Sequence, residues 1–93
     1  MTLPADARQI SLWGYAFGAR AGDILRLDIF APDGAFLHRK TYRIPRNIAA
    51  LTRITALRRP GLSWPPGRYS GQVTLLRQNR LISQQITTLT LTP

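Results

Sequence analysis

The sequence predicts an all-β fold, an antiparallel β-sandwich of six or seven strands. Three observations point there. Apolar and polar residues alternate with period two through residues 24–30 and again through 68–76, as they do where a strand buries one face. Turn chemistry recurs between the alternating runs, at residues 18–23, 31–34, 58–67 and 77–80, at the intervals expected of strands folding back on one another. No segment carries a convincing helical period alone, so runs of strands are the consistent reading.

Ninety-three residues make one domain with room for a single core. Residues 1–10 are polar and Pro-containing and read as a flexible lead-in, and residues 11–92 as a single β-sandwich. Within the latter, 11–17 place Trp13, Tyr15 and Phe17 on one face and the small Gly14 and Ala16 on the other; three aromatics on one face imply that it faces the core. Gly18, Gly22 and Asp23 then supply a turn. In residues 24–30, Leu25, Leu27 and Ile29 point one way while Arg26 and Asp28 share an exposed face, where pairing between them is worth about 0 to 1 kcal/mol. Pro32-Asp33-Gly34 is a tight turn, so residues 35–44 pair back antiparallel.

Residues 48–57 are the ambiguous stretch. Ile48, Leu51 and Ile54 fit a helical spacing, yet 51–57 also read as a strand with two β-branched Thr. The strand is preferred because a lone short helix would leave the sheet short of partners. Beyond the Pro/Gly-rich loop, Tyr69, Gly71, Val73 and Leu75 point inward from the clearest strand. Residues 77–80 reverse the chain, with Asn79 suited to positive φ, and 81–92 return as the last strand. Its apolar parity changes between Ile82/Ile86 and Leu89/Leu91, which predicts a bulge near Thr87-Thr88.

Pro65-Pro66-Gly67-Arg68-Tyr69 ahead of the penultimate strand fits a tyrosine corner, in which the Tyr hydroxyl bonds to backbone just upstream. The expected architecture is therefore immunoglobulin-like. With no cysteine in the chain, the disulfide-centred antibody core is excluded, and packing must stabilise the domain.

Thirteen Lys and Arg face four acids, all Asp, for a formal charge of +9, and Lys40 is the only cation that is not Arg. The cations run from Arg8 to Arg80 without a block, so a solvated surface is the ordinary reading. The charge also admits nucleic acid, acidic glycan or anionic membrane as partners. No apolar run reaches the ~20 residues that cross a bilayer, and residues 1–6 lack the basic start and apolar centre of a signal peptide.

Catalytic chemistry has little to work with. The single His38 lies between Leu37 and Arg39-Lys40 on an expected strand, with no Glu anywhere, and reads as an exposed strand histidine rather than a base beside a nucleophile. One His, no Cys and four scattered Asp give no metal-ligand spacing. Asp23 and Asp33 sit where their side chains cap turns, and no phosphate-binding glycine loop occurs. No cofactor is expected. The candidate binding residues are Arg58, Arg59, Trp64 and Arg68. Trp with Arg suits stacking and anion contact, although a Trp between turn residues also serves simply to close a core.

Gly22-Asp23-Ile24-Leu25-Arg26-Leu27, Pro32-Asp33-Gly34, Arg58-Arg59-Pro60-Gly61, Trp64-Pro65-Pro66-Gly67-Arg68-Tyr69 and Gly71-x-Val73-x-Leu75 together resemble the C-terminal β-sandwich that follows the catalytic domain in some bacterial lysostaphin-type (LytM-like) cell-wall metallopeptidases. The similarity spans residues 12–91. The zinc-binding motifs of that family's catalytic part do not occur here. The resemblance implies a non-catalytic accessory domain, excised from a longer exported chain and therefore periplasmic or extracellular. Its implied partners are the catalytic domain of the same parent and peptidoglycan or another anionic polymer. The alternatives are a basic nucleic-acid-binding β domain and an assembly module that offers its last strand, uncharged from Ile86 to Thr92, as an edge to a partner strand.

Overall fold

A computed structural model describes residues 2–93. Every regular element in it is a strand: β1 (Thr2–Pro4), β2 (Gln9–Ala19), β3 (Ile24–Phe30), β4 (Phe36–Arg43), β5 (Ile48–Arg58), β6 (Gly67–Arg77) and β7 (Arg80–Thr92). They form a five-stranded sheet in the order β1-β7-β6-β3-β4 and a two-stranded sheet of β2 and β5. All pairings are antiparallel except one. β1 runs parallel to β7, with Thr2 opposite Thr90 and Pro4 opposite Thr92, so the large sheet is mixed rather than purely antiparallel.

The alternation in β3 and β6 builds the shared interior. Leu25, Leu27 and Ile29 face in from β3, with Tyr69, Val73 and Leu75 from β6, and all six are buried. Against them pack Ile10, Leu12 and Ala16 of β2 and Leu51 of β5. Burying a side chain such as Leu25 or Leu27 stabilises the fold by roughly 1.5–3 kcal/mol. Residues 48–58 are indeed a strand: β5 pairs with β2 over its whole length, from Gln9–Arg58 to Ala19–Ile48.

The turns follow their sequence chemistry. Gly34 has φ +87°, its N–H donates to Ala31 O at 2.9 Å, and Asp33 Oδ1 accepts the Ala35 N–H at 2.9 Å. The β6–β7 hairpin turns on two residues, Gln78 (φ 52°) and Asn79 (φ 63°), the geometry whose twist matches flanking strands. Tyr69 makes the corner, its hydroxyl donating to Pro65 O at 2.7 Å.

Four expectations are corrected. Residues 2–10 are not a lead-in: Thr2–Pro4 is a sheet strand, Ala5 and Ile10 are buried, and Ala5 N donates to Thr92 O at 2.7 Å. β2 presents the opposite face to the one expected. Ile10, Leu12, Gly14 and Ala16 point into the core, while Trp13, Tyr15 and Phe17 are 55%, 52% and 74% exposed. Close approach of the layers explains this, because a Cβ on Gly14 would already lie 3.2 Å from Val73 Cγ1 and 3.3 Å from Leu27 Cδ2. The bulge in the last strand is at Ile82 and not at Thr87-Thr88, since Leu75 pairs with Ser83 and Leu76 with Leu81. Finally, Asp28 is buried although it lies on the outward register, because Arg26 and Arg39 fold over it.

Candidate docking surfaces

The loop between β5 and β6 does not present the surface expected of it. Trp64 is 2% exposed. Its backbone N–H donates to Ala5 O at 2.7 Å, its indole Nε1–H to Ala7 O at 2.8 Å, and its ring meets Tyr69 edge-on with centroids 5.8 Å apart. Trp64 therefore closes one end of the core and pins residues 5–7 to it. Arg59 serves the same junction, with N–H to Arg8 O at 2.8 Å and Nη1 to Asp6 O at 2.6 Å.

The four candidate residues do not converge. A cleft of about 490 Å³ between the β3–β4 turn and this loop is lined by Arg58, by the wall formed by Trp64 and Tyr69, and by Pro32, Asp33 and Leu57, but not by Arg59 or Arg68. Arg68 occupies the outward register of β6, opposite Thr90. The pocket is mostly apolar, and Arg58 and Asp33 are its charged groups.

Three cations are paired internally, Arg26 and Arg39 with Asp28 and Arg77 with Asp23. Arg77 grips Asp23 with Nε 3.0 Å from Oδ1 and Nη2 2.9 Å from Oδ2, and Asp23 Oδ2 also accepts the Arg20 N–H at 2.9 Å. The Arg77 hydrogen bond is the main reason the Asp23 carboxyl is held below its usual range, against the opposing effect of burial. The same bond raises Arg77. Arg39 Nε donates to Asp28 Oδ1 at 2.7 Å, which raises Arg39 in turn. Asp23 and Asp33 thus act as turn caps, and Asp23 as an ion-pair partner besides.

His38 is not an exposed strand histidine. It is half-buried, and its Nε2 lies 2.7 Å from Thr55 Oγ1, joining β4 to β5 across the layers. Thr55 is 7% exposed, and the pair ties the two layers together. Among the described residues no three His, Asp or Glu cluster as a metal site would need, and no helix is long and apolar enough to cross a membrane.

The surface that stands out lies on the back of the two-stranded sheet. β2 and β5 place Ser11 beside Ala56, Trp13 beside Ile54, Tyr15 beside Thr52 and Phe17 beside Ala50. These rows extend for roughly 20 Å at the rise of a strand. They contain no charged side chain, and Trp13, Tyr15, Phe17 and Ile54 are all exposed, Ile54 the least. Sequence reasoning passed over this surface by assigning the aromatics to the core. The signal that could have found it is the parity of Ile10 and Leu12, which claim the opposite face of the same strand.

A second open feature is the edge of β7. β1 covers it only at Thr90–Thr92, and residues 81–88 are exposed on both faces. Over residues 81–88 no second layer covers the inner side of this strand, because the smaller sheet ends at β2 and a shallow groove lined by Leu12, Gly71 and Thr87 separates the two, whereas Leu89 and Leu91 pack against the core.

No protein family, no curated protein and no solved structure matches the chain. The likeness to peptidase-associated β-sandwiches rests on its motif residues alone.

Proposed function

We propose that the chain is a non-catalytic interaction module of immunoglobulin-like arrangement that docks on a protein surface through the outer face of β2 and β5. The observation that carries this is the charge-free row of Trp13, Tyr15 and Phe17 with Ile54 beside it, exposed on a chain of formal charge +9. Monomeric proteins rarely leave a contiguous apolar patch of this kind without a use. Trp and Tyr are also the residues enriched where interfaces concentrate their binding energy, and they lose little rotamer entropy when immobilised.

The immunoglobulin-like reading is supported by the strand order, with β2 and β5 in one layer and β4-β3-β6-β7 in the other, and by the corner at Tyr69. The sequence resemblance adds an identity for the partner. The surface would meet the catalytic domain of a cell-wall metallopeptidase-like parent, exported from the cytoplasm, to which this module is accessory. Because the partner is a protein, the Arg/Trp loop is no longer needed as a glycan site.

A benzophenone amino acid placed at Tyr15, and in a second variant at Arg68 on the opposite sheet, tests this in cells of the source organism. The expected result is one discrete protein adduct from position 15, none from position 68, and loss of the adduct when Trp13 and Phe17 are both changed to Ser. Equal labelling from both positions, or no protein adduct, overturns the proposal. So would amide shifts confined to Trp13, Tyr15 and Phe17 on titration with soluble peptidoglycan or a DNA duplex, which would move the partner to another class of molecule.

A further inference from the structure

We propose that the free edge of β4 accepts an acidic extended segment of another protein, which adds to the five-stranded sheet as a further strand. β4 is an end strand of that sheet and pairs only with β3. A strand with one neighbour leaves a row of N–H and C=O groups on its other side, and the ligand that carries the complementary row is a peptide backbone in extended form. The ladder between β4 and β3 is regular from His38 to Arg43 and slips at Leu37. Residues 38–43 are therefore the run available to an incoming strand, and they contain no proline.

The side chains of this run select the charge of that strand. Arg39, Lys40 and Arg43 lie within it and Arg46 follows, whereas all four acids of the chain fall at or before Asp33. The cations stand on both faces of the sheet. Arg39 and Arg43 share the outer register with their partners Asp28 and Ile24, and Lys40, opposite Leu27, is on the side of the core. On that side Lys40 Nζ lies 5.5 Å and Arg53 Cζ 5.8 Å from the centre of the Tyr42 ring. Asp28 holds Arg39, but Lys40, Arg43, Arg46 and Arg53 have no ion-pair partner among the described residues.

Cations along an edge ordinarily keep other strands away. Here they turn away a strand from a second copy of this chain, itself +9, and a neutral strand would cover them without answering their charge. A nucleic acid or an acidic polysaccharide answers the charge but has no amide ladder to offer the edge. An acidic extended peptide does both. The edge is also preformed, because His38 Nε2 lies 2.7 Å from Thr55 Oγ1 and the Tyr42 hydroxyl donates to Ile54 O at 2.7 Å. With β4 tied to β5 in this way, little is left to be ordered on the side of the receptor.

Amide-resolved NMR titration and hydrogen exchange test this, with a synthetic peptide as long as the eight residues of β4, capped at both ends and built of Glu and Val with Glu on both faces. The Glu peptide is expected to shift and protect the amides of residues 38–43, less strongly as salt rises. The same peptide with Lys for Glu, or with every backbone nitrogen methylated, should bind at least about tenfold more weakly, and an oligothymidylate should protect none of these amides. Lys40→Glu with Arg43→Glu should weaken the Glu peptide by at least about tenfold and admit the Lys peptide instead, while Arg80→Glu, at the far hairpin, should leave binding unchanged. Lys40, Arg43 and Arg80 are exposed, and thermal melts check that the variants fold; the comparison of peptides on the wild type needs no variant. Equal binding of the methylated peptide, protection of β4 by the oligothymidylate, protection at β2 or β7 in place of β4, or no binding of the Glu peptide at low salt would overturn the proposal.

Discussion

Arg77, at the end of β6, holds both carboxylate oxygens of Asp23, a residue 54 positions earlier that also caps the turn entering β3. One acid thereby fixes a turn and fastens it to the far end of a neighbouring strand. The pair faces the rim of the molecule rather than its centre, so solvent tempers its strength.

The pH dependence of stability should carry the mark of this pair. Unfolded, the Asp23 carboxyl titrates near its ordinary value of about 4; folded, it titrates lower, chiefly because of the Arg77 hydrogen bond. Its contribution is therefore complete above the unfolded value and is lost as pH falls through the folded one. Asp23→Asn should destabilise the protein by about 1–3 kcal/mol at neutral pH. Denaturant melts of both forms should show the gap narrowing below about pH 4; a gap that stays constant to pH 2 would contradict the assignment.

Tyr69 makes the opposite prediction at the alkaline end. Burial, with a smaller effect from Asp33, raises its hydroxyl above the ordinary value. The protonated phenol is thus favoured by folding, and its contribution is complete below the unfolded value of about 10 and is lost as pH rises toward the folded one. Tyr69→Phe keeps the ring against Trp64 but removes the hydrogen bond to Pro65 O, which should cost about 0.5–1.5 kcal/mol. Thermal melts should find the variant less stable at pH 7 and flatter than wild type between pH 9 and 11.

The two tryptophans should behave as opposites. Trp64→Ala removes a buried ring and its hydrogen bond, a loss of about 3–5 kcal/mol that is severe for a domain of this size. Trp13→Ser should stay within about 0.5 kcal/mol of wild type. Acrylamide quenching distinguishes the residues directly, with Trp13 quenched in the folded protein and Trp64 protected. Comparable protection of both would place Trp13 in the core after all.

The parts of this fold that were legible in the sequence are those in which local chemistry has one solution. The alternation in β3 and β6 has a single apolar face, Pro32-Asp33-Gly34 permits few backbones, and the residues before Tyr69 deliver its hydroxyl to a carbonyl. β2 was different. Its period was plain, but both of its faces are apolar, and periodicity cannot say which one is buried. The distance between layers decided that, excluding the large rings and admitting Gly14. Trp64 was ambiguous for a related reason, since a loop residue's burial depends on a partner far away in sequence, here Ala5 and Ala7. β1 was missed because three residues have too little pattern of their own and take their structure from β7.

The pairing of β1 with β7 brings together residues nearly ninety positions apart, Thr2 and Thr90. The chain that follows β1 is held to the core at Ala5 and Ala7 by Trp64, so β1 closes over a short tether, but its ladder is only three residues long and is the part of the sheet with the fewest bonds to open. Each time it frays, the uncharged stretch of β7 that lies open extends through Thr90 to Thr92. Heating below the melting point would thus lengthen an uncharged strand edge before the core opens, so the fastening of a three-residue strand governs how much unpaired backbone the large sheet offers.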